Sequence, residues 1–273
     1  MCDIENRNMF SNQLVYGLIS KFNAINNNSN IKVVIITGSN GIFSMGGTQE
    51  QLSGIANKTN KFSDIPFLYR GLLECKVPVI AAIQGHASGG GMLFGLYADI
   101  IIMSEEGIYS ASFTKYGFTP GMGATCILRE RFGVSFSTEM MFTAKSYKGS
   151  ELRNRGASVL FTKKEEVLNE ALSLAFILCE KPRETLITLK EELASKILEQ
   201  LPNVIKREET MHRKTFVQSE VKKRIEKYYK NNKVEDNNKN EEETKLEITS
   251  IDELLRAISE GKISPEEAVQ YHF

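Results

Sequence analysis

The chain has 273 residues, 41 % of them hydrophobic and 25 % charged, and its 34 basic and 34 acidic residues cancel. That is the composition of a globular protein with room for one large domain, or a domain with an appendage. There is no basic excess for nucleic acid, no apolar run long enough to cross a bilayer and no signal-peptide core in MCDIENRNMF, so neither nucleic acid nor a membrane is expected as a partner.

Ser11 is placed to cap a helix whose Val15, Leu18, Ile19 and Phe22 recur at helical spacing. KVVIIT (32–37) is a continuous β-branched run, the pattern of a strand covered on both faces, and Gly38, Asn40 and Gly41 end it. PVIAAIQG (78–85) and ADIIIMS (98–104) read the same way, with helical segments between them. Such alternation predicts βαβ units with parallel pairing. Beyond about residue 134 the chain reads as mainly helical. VLNEALSLAFILCE and the segment 183–200 each have an apolar face, and 203–229 reads as one long, more polar helix. Cys2, Cys75, Cys126 and Cys179 lie far apart without metal-ligand spacing and read as reduced, mostly buried thiols of a cytoplasmic protein.

At Lys230 the composition shifts. Residues 231–245 are charged and nearly free of aliphatic side chains, so they read as a linker. Residues 246–273 follow with two capping boxes, Ser250 with Glu253 and Ser264 with Glu267, and an apolar stripe of Ile251, Leu254, Leu255 and Ile258. Two short helices of this size need another surface to pack on, so the tail is a candidate docking element. The expected division is therefore a domain over 1–230, a linker over 231–245 and a helical tail over 246–273.

Two glycine turns, GIFSMGGTQEQL (41–52) and GHASGGG (85–91), follow the first two strands, at the strand ends where open α/β folds place ligands. Neither fits a phosphate loop, because no Gly-Lys-Ser/Thr or G-x-G-x-x-G is present. Two exposed amides, one from each turn, could form an oxyanion hole; ordinary turn glycines are the simpler alternative. Of the three histidines, His86 precedes the glycine run, His212 lies on the late polar helix and His272 in the tail. From the residues alone, His212 is a surface histidine.

Taken together, FSMGGT, PVIAAIQGHASGGG and YGFTPGMGAT resemble the crotonase (enoyl-CoA hydratase/isomerase) superfamily over residues 1 to about 230. The resemblance implies a mixed α/β fold, a spiral of ββα units with a helical C-terminal trimerisation region, hence a homotrimer or a dimer of trimers. It implies an acyl thioester on a pantetheine arm as ligand, with no metal, and assigns the two oxyanion amides to Gly47 and Gly90. The two water-activating carboxylates of a hydratase would fall at Leu93 and Phe113, which are apolar here and so become candidate walls of a dry substrate pocket.

FSMGGTQEQL, EKPR and MHRKTFVQSEVKKRI resemble one subgroup more closely, the decarboxylases of polyketide β-branching. That resemblance implies loss of CO2 from 3-methylglutaconyl on an acyl carrier protein to give 3-methylcrotonyl, with no cofactor beyond the carrier's phosphopantetheine. It places the chemistry on His212 and Lys58, with Lys61 as the competing lysine, to hold the carboxylate and deliver a proton to C4. ELLRAISEGKISPEEA resembles short docking helices at junctions of polyketide assembly-line proteins, which implies that the tail docks on a polyketide synthase. The alternatives are a hydratase or dehydratase of the same cassette, and a crotonase fold kept as a scaffold.

Overall fold

The computed structural model of the chain describes residues 1–232. Strands β1 (Val34–Thr37), β3 (Val79–Ile83), β5 (Ile100–Ser104) and β8 (Leu160–Thr162) form one parallel sheet in the order β1-β3-β5-β8. Strands β2 (Ile42–Ser44), β4 (His86–Ser88), β6 (Ile108–Ser110) and β7 (Ser146–Lys148) form a second sheet in that order, parallel except for the antiparallel β6–β7 pair. The helices are α1 (Asn12–Asn26), α2 (Gln49–Ala56), the single turn α3 (Phe67–Arg70), α4 (Gly90–Leu96), α5 (Ala124–Phe132), α6 (Val134–Thr143), α7 (Gly149–Asn154), α8 (Val167–Cys179), α9 (Arg183–Thr215) and α10 (Ser219–Asn232). Each early unit therefore runs long strand, short strand, helix, and the two sheets grow side by side as the chain spirals.

The β-branched runs are strands for the reason the sequence suggests. Ile35, Ile80, Ala82 and Ile102 face α8, where Val167, Leu168, Ala171 and Ala175 cover them. Ile36, Val79, Ala81, Ile83 and Ile101 point the other way into the main core. A strand buried on both faces loses polar alternation. The second-sheet strands of three residues each carry no such signal. Helix α1 starts at Ser11, whose hydroxyl accepts the Leu14 amide at 3.2 Å, and it buries Val15 and Phe22. The predicted α1, β1, β3 and β5 are all present.

The C-terminal helices differ from the sequence expectation. The sequence places a boundary between two helices at Pro202, yet α9 runs through it as a single helix of 33 residues. Proline removes one hydrogen bond. Ile197, Leu201 and Val204 on either side of it are buried, and that packing holds the helix together. The break comes instead at Phe216–Gln218, where the Phe216 ring stacks on Phe118 at 4.3 Å and α10 turns back over α2. The cysteines also need correction: all four are free, but only Cys75 is buried, while Cys2 and Cys179 are exposed. Among the described residues no helix is long and apolar enough to cross a membrane. The predicted linker and tail, 231–245 and 246–273, lie outside the described residues apart from the end of α10.

One ion pair ties α9 to the first sheet. The Lys190 ammonium, 4 % exposed, meets the Asp99 carboxylate and donates to the Leu72 carbonyl at 2.8 Å. Asp99 also accepts the Val79 amide at 2.7 Å. Neutralising one partner strands a buried charge. Asp99→Asn is therefore expected to lower unfolding free energy by about 3 kcal/mol, read from its urea midpoint. A midpoint equal to that of the parent chain would show that this pair does not hold α9 down.

Candidate active site

Two turns meet at the ends of the short strands. Met45, Gly46, Gly47 and Thr48 leave β2, and Thr48 caps α2 in a reciprocal box with Gln51, with bonds of 3.2 and 3.1 Å. Gly89 and Gly90 leave β4 and open α4. Gly46 has φ +82°, a left-handed conformation that side chains resist, which is why glycine stands there. Gly47 and Gly90 line one cavity of about 300 Å³, and among the described residues neither amide donates to a protein acceptor. Gly90 is the first residue of its helix, where an amide has no partner within the helix. Two free amides facing one largely apolar cavity can stabilise an oxygen that gains negative charge.

Phe113 lines this cavity with Phe10, Phe118 and Met122. Leu93 does not: it is fully buried behind the glycine turn, so its place in the pocket wall has to be withdrawn. On α4 it lies one turn beyond Gly89, whose carbonyl accepts the Leu93 amide, and the helix is buried on every side. It still contributes no carboxylate near the site.

The predicted lysines and histidine separate. Lys61 lines the cavity of Gly47 and Gly90, whereas Lys58 and His212 line an adjoining cavity of about 410 Å³. Lys61 and Phe62 form part of the wall of both. Lys58 is exposed at the end of α2 with φ +63°, the conformation that ends many helices. Among the described residues neither lysine is paired with a carboxylate. Asp64, the carboxylate on the rim of the first cavity, is exposed and accepts the Lys61 amide at 2.6 Å.

His212 is no surface residue. It is 8 % exposed, and its Nε2 lies 2.9 Å from the Pro120 carbonyl and 3.1 Å from that of Thr119. Two carbonyl acceptors fix the proton on Nε2 and leave Nδ1 as the free ring nitrogen. Burial holds the ring below the usual imidazole pKa, while the two carbonyls pull the other way. The Phe62 ring stands 4.9 Å from it and lines both cavities. His86 is elsewhere: its Nδ1 accepts the Ile108 amide at 3.0 Å, a structural bond on the second sheet.

Several residues here escape sequence reading. Glu208, one turn before His212, is buried and accepts the Gly123 amide at 2.7 Å and the Thr125 amide and hydroxyl at 3.0 and 2.7 Å. It thereby caps α5, and α9 grips the 119–125 turn at two points. In that turn Met122 is held at φ +59°, with its carbonyl bonded to the Tyr97 hydroxyl at 2.7 Å. Gly121 leaves room for both rings: a Cβ there would lie 2.7 Å from His212 Cε1 and 2.8 Å from Phe62 Cδ2. Gly121→Ala is expected to cost about 1–3 kcal/mol of stability and to move the His212 ring resonances in NMR spectra. Unmoved resonances would show that the rings do not meet across this glycine.

The enoyl-CoA hydratase/isomerase family model matches residues 1–238. The bacillaene synthase decarboxylase PksI of Bacillus subtilis is 47 % identical over 231 residues, covering 85 % of this chain and 92 % of that protein. A solved structure from a dehydratase/decarboxylase enzyme couple of polyketide β-branching is 47 % identical with a TM-score of 0.80, covering 82 % of this chain and 88 % of that one. The ECH2 decarboxylase domain of CurF from Lyngbya majuscula is 39 % identical with a TM-score of 0.78, covering 83 % and 92 %. With its paired glycine amides, its spiral of ββα units and these likenesses, the chain belongs to the crotonase (enoyl-CoA hydratase/isomerase) family.

Proposed function

We propose that the chain is a decarboxylase of polyketide β-branching, converting 3-methylglutaconyl to 3-methylcrotonyl on the phosphopantetheine of an acyl carrier protein. The observation that carries this reading is the cationic Lys61 on the same cavity wall as the two free amides, with Phe113 where a hydratase would hold an acid. The likeness to PksI and to the CurF domain supports the same reaction.

The thioester carbonyl accepts from the Gly47 and Gly90 amides, and the acyl chain runs toward the wall formed by Lys61 and Phe62. The Lys61 ammonium binds the terminal carboxylate. When Phe62 turns aside, that carboxylate also meets Nδ1 of His212. A buried neutral imidazole with Nε2–H already committed to carbonyls takes up a proton on Nδ1 when an anion arrives beside it. The bond from C4 to the carboxyl carbon then breaks. Its electron pair forms C3=C4 and shifts through C2 onto the thioester oxygen, giving a dienolate and neutral CO2. Once CO2 has left, the imidazolium has lost its counter-charge, and burial favours its neutral form again. The proton passes to C4, restoring the C2=C3 double bond and the neutral ring. The apolar wall limits water near the dienolate.

Lys58, exposed at the rim of the cavity that His212 lines, is the competing lysine for the carboxylate. Exposed apolar side chains on α8 and α9, including Phe176 at 56 % and Leu193 at 67 %, support self-association as a homotrimer. A cytoplasmic location and a synthase-docking role for residues 246–273 belong to the same proposal, as does the division into 1–230, linker and tail.

Incubating the chain with 3-methylglutaconyl-carrier and weighing the carrier tests the reaction. Loss of one CO2 is expected. Gain of one water would make the chain a hydratase, and an unchanged carrier would make it a scaffold.

A further inference from the structure

The oxyanion donor Gly47 is held by a residue from the far end of the fold. Tyr229 lies on α10, 182 residues away in sequence, and its hydroxyl donates to the Gly47 carbonyl at 2.5 Å. Its ring lines the oxyanion cavity and packs against Tyr116 with centroids 5.9 Å apart. On the other side of Gly47, the Gly46 carbonyl accepts the Phe10 amide at 2.8 Å. The Gly46–Gly47 peptide, which carries the oxyanion N–H, is thus fixed by Phe10, and the following peptide is held by Tyr229 at its carbonyl and by Gln51 at the Thr48 amide.

Such fixing matters here for a physical reason. Two adjacent glycines have the broadest torsional freedom of any dipeptide, and Gly46 already uses a left-handed φ of +82°. An N–H group stabilises a developing oxyanion only if it is aimed before charge appears. Among the described residues the Gly47 amide makes no protein bond, so its direction depends on what holds the two peptides around it. We infer that Tyr229 is a positioning residue of the oxyanion hole, aiming the Gly47 amide through the neighbouring carbonyl and making the hole depend on the docking of α10. Burial pushes the phenol pKa well up, so the hydroxyl remains a donor across the working pH range. The inference rests on the reading of Gly47 as an oxyanion donor.

Tyr229→Phe keeps the ring, its packing against Tyr116 and the cavity wall, and removes only the hydroxyl. It is expected to lower kcat for CO2 loss about five- to tenfold, with KM for the carrier substrate within about twofold and the melting temperature within about 3 °C. The decisive readout is the infrared carbonyl stretch of a bound crotonyl-pantetheine thioester labelled with carbon-13 at the carbonyl. This probe has no carboxylate and cannot decarboxylate. In the parent chain the stretch should fall to lower frequency than in the free thioester, and in Tyr229→Phe it should return part of the way. An undiminished shift in Tyr229→Phe would overturn the role of Tyr229. No shift in the parent chain at saturating probe would overturn the oxyanion reading itself, and this inference with it. A normal shift without CO2 loss from 3-methylglutaconyl-carrier would count against the reaction only, leaving Tyr229 to be judged on the stretch.

Discussion

Lys61→Met is expected to lower kcat/KM for CO2 loss at least about 30-fold, and Lys58→Met to leave it within about threefold. The two lysines are three residues apart, and the family resemblance of this loop favours Lys58. Lys61 lines the cavity of Gly47 and Gly90, whereas Lys58 lines the neighbouring one with His212. In Lys61→Met the thioether side chain would keep the length and apolar stem of lysine while removing the ammonium partner of the substrate carboxylate. Losing the buried partner of a charge costs about 2–5 kcal/mol, and the lower end of that range is the 30-fold figure. Single-turnover measurements on carrier-bound substrate separate the two variants. A large loss in Lys58→Met with a small one in Lys61→Met would move the cation into the second cavity and reverse the assignment.

His212→Gln carries the second large effect. Glutamine can still donate to the Pro120 carbonyl but cannot carry a titrating proton. A positioned general acid contributes about 100- to 10,000-fold, so a fall of at least about 100-fold is expected in kcat. The pH dependence is the sharper test. Burial lowers the pKa of the free ring, so at neutral pH most of the enzyme is neutral and must take up a proton with the substrate. In the parent chain kcat/KM should therefore rise as pH falls through the range just below neutrality, and level off below the lowered pKa of the ring. In His212→Gln the residual rate should lose this slope. A parent profile that falls toward low pH would mean that His212 acts as a neutral group or a base.

The sequence made some of this visible because local chemistry fixes it. The long strands are β-branched on both faces, and the glycine turns sit directly after strands. Ser11 precedes its helix as a cap. The rest depends on contacts distant in sequence. Strands of three residues have no period to read. Pro202 is a helix breaker by propensity, and only the burial of Leu201 and Val204 overrides it. His212 appears on a polar helix, and what buries it is the 119–121 turn and Phe62. The choice between Lys58 and Lys61 turns on how the chain leaves α2, where Lys58 takes a left-handed conformation that spacing does not reveal. Tyr229 reaches Gly47 only once α10 folds back across α2.

The most direct test of the central claim, that the site stabilises a dienolate and returns a single proton to C4, is the intact mass of the carrier after turnover in deuterium oxide. The account predicts a carrier lighter by one CO2 relative to substrate, with one deuterium in place of the lost carboxyl group. A carrier heavier by one deuterium oxide, or one that loses CO2 without gaining deuterium, would contradict it.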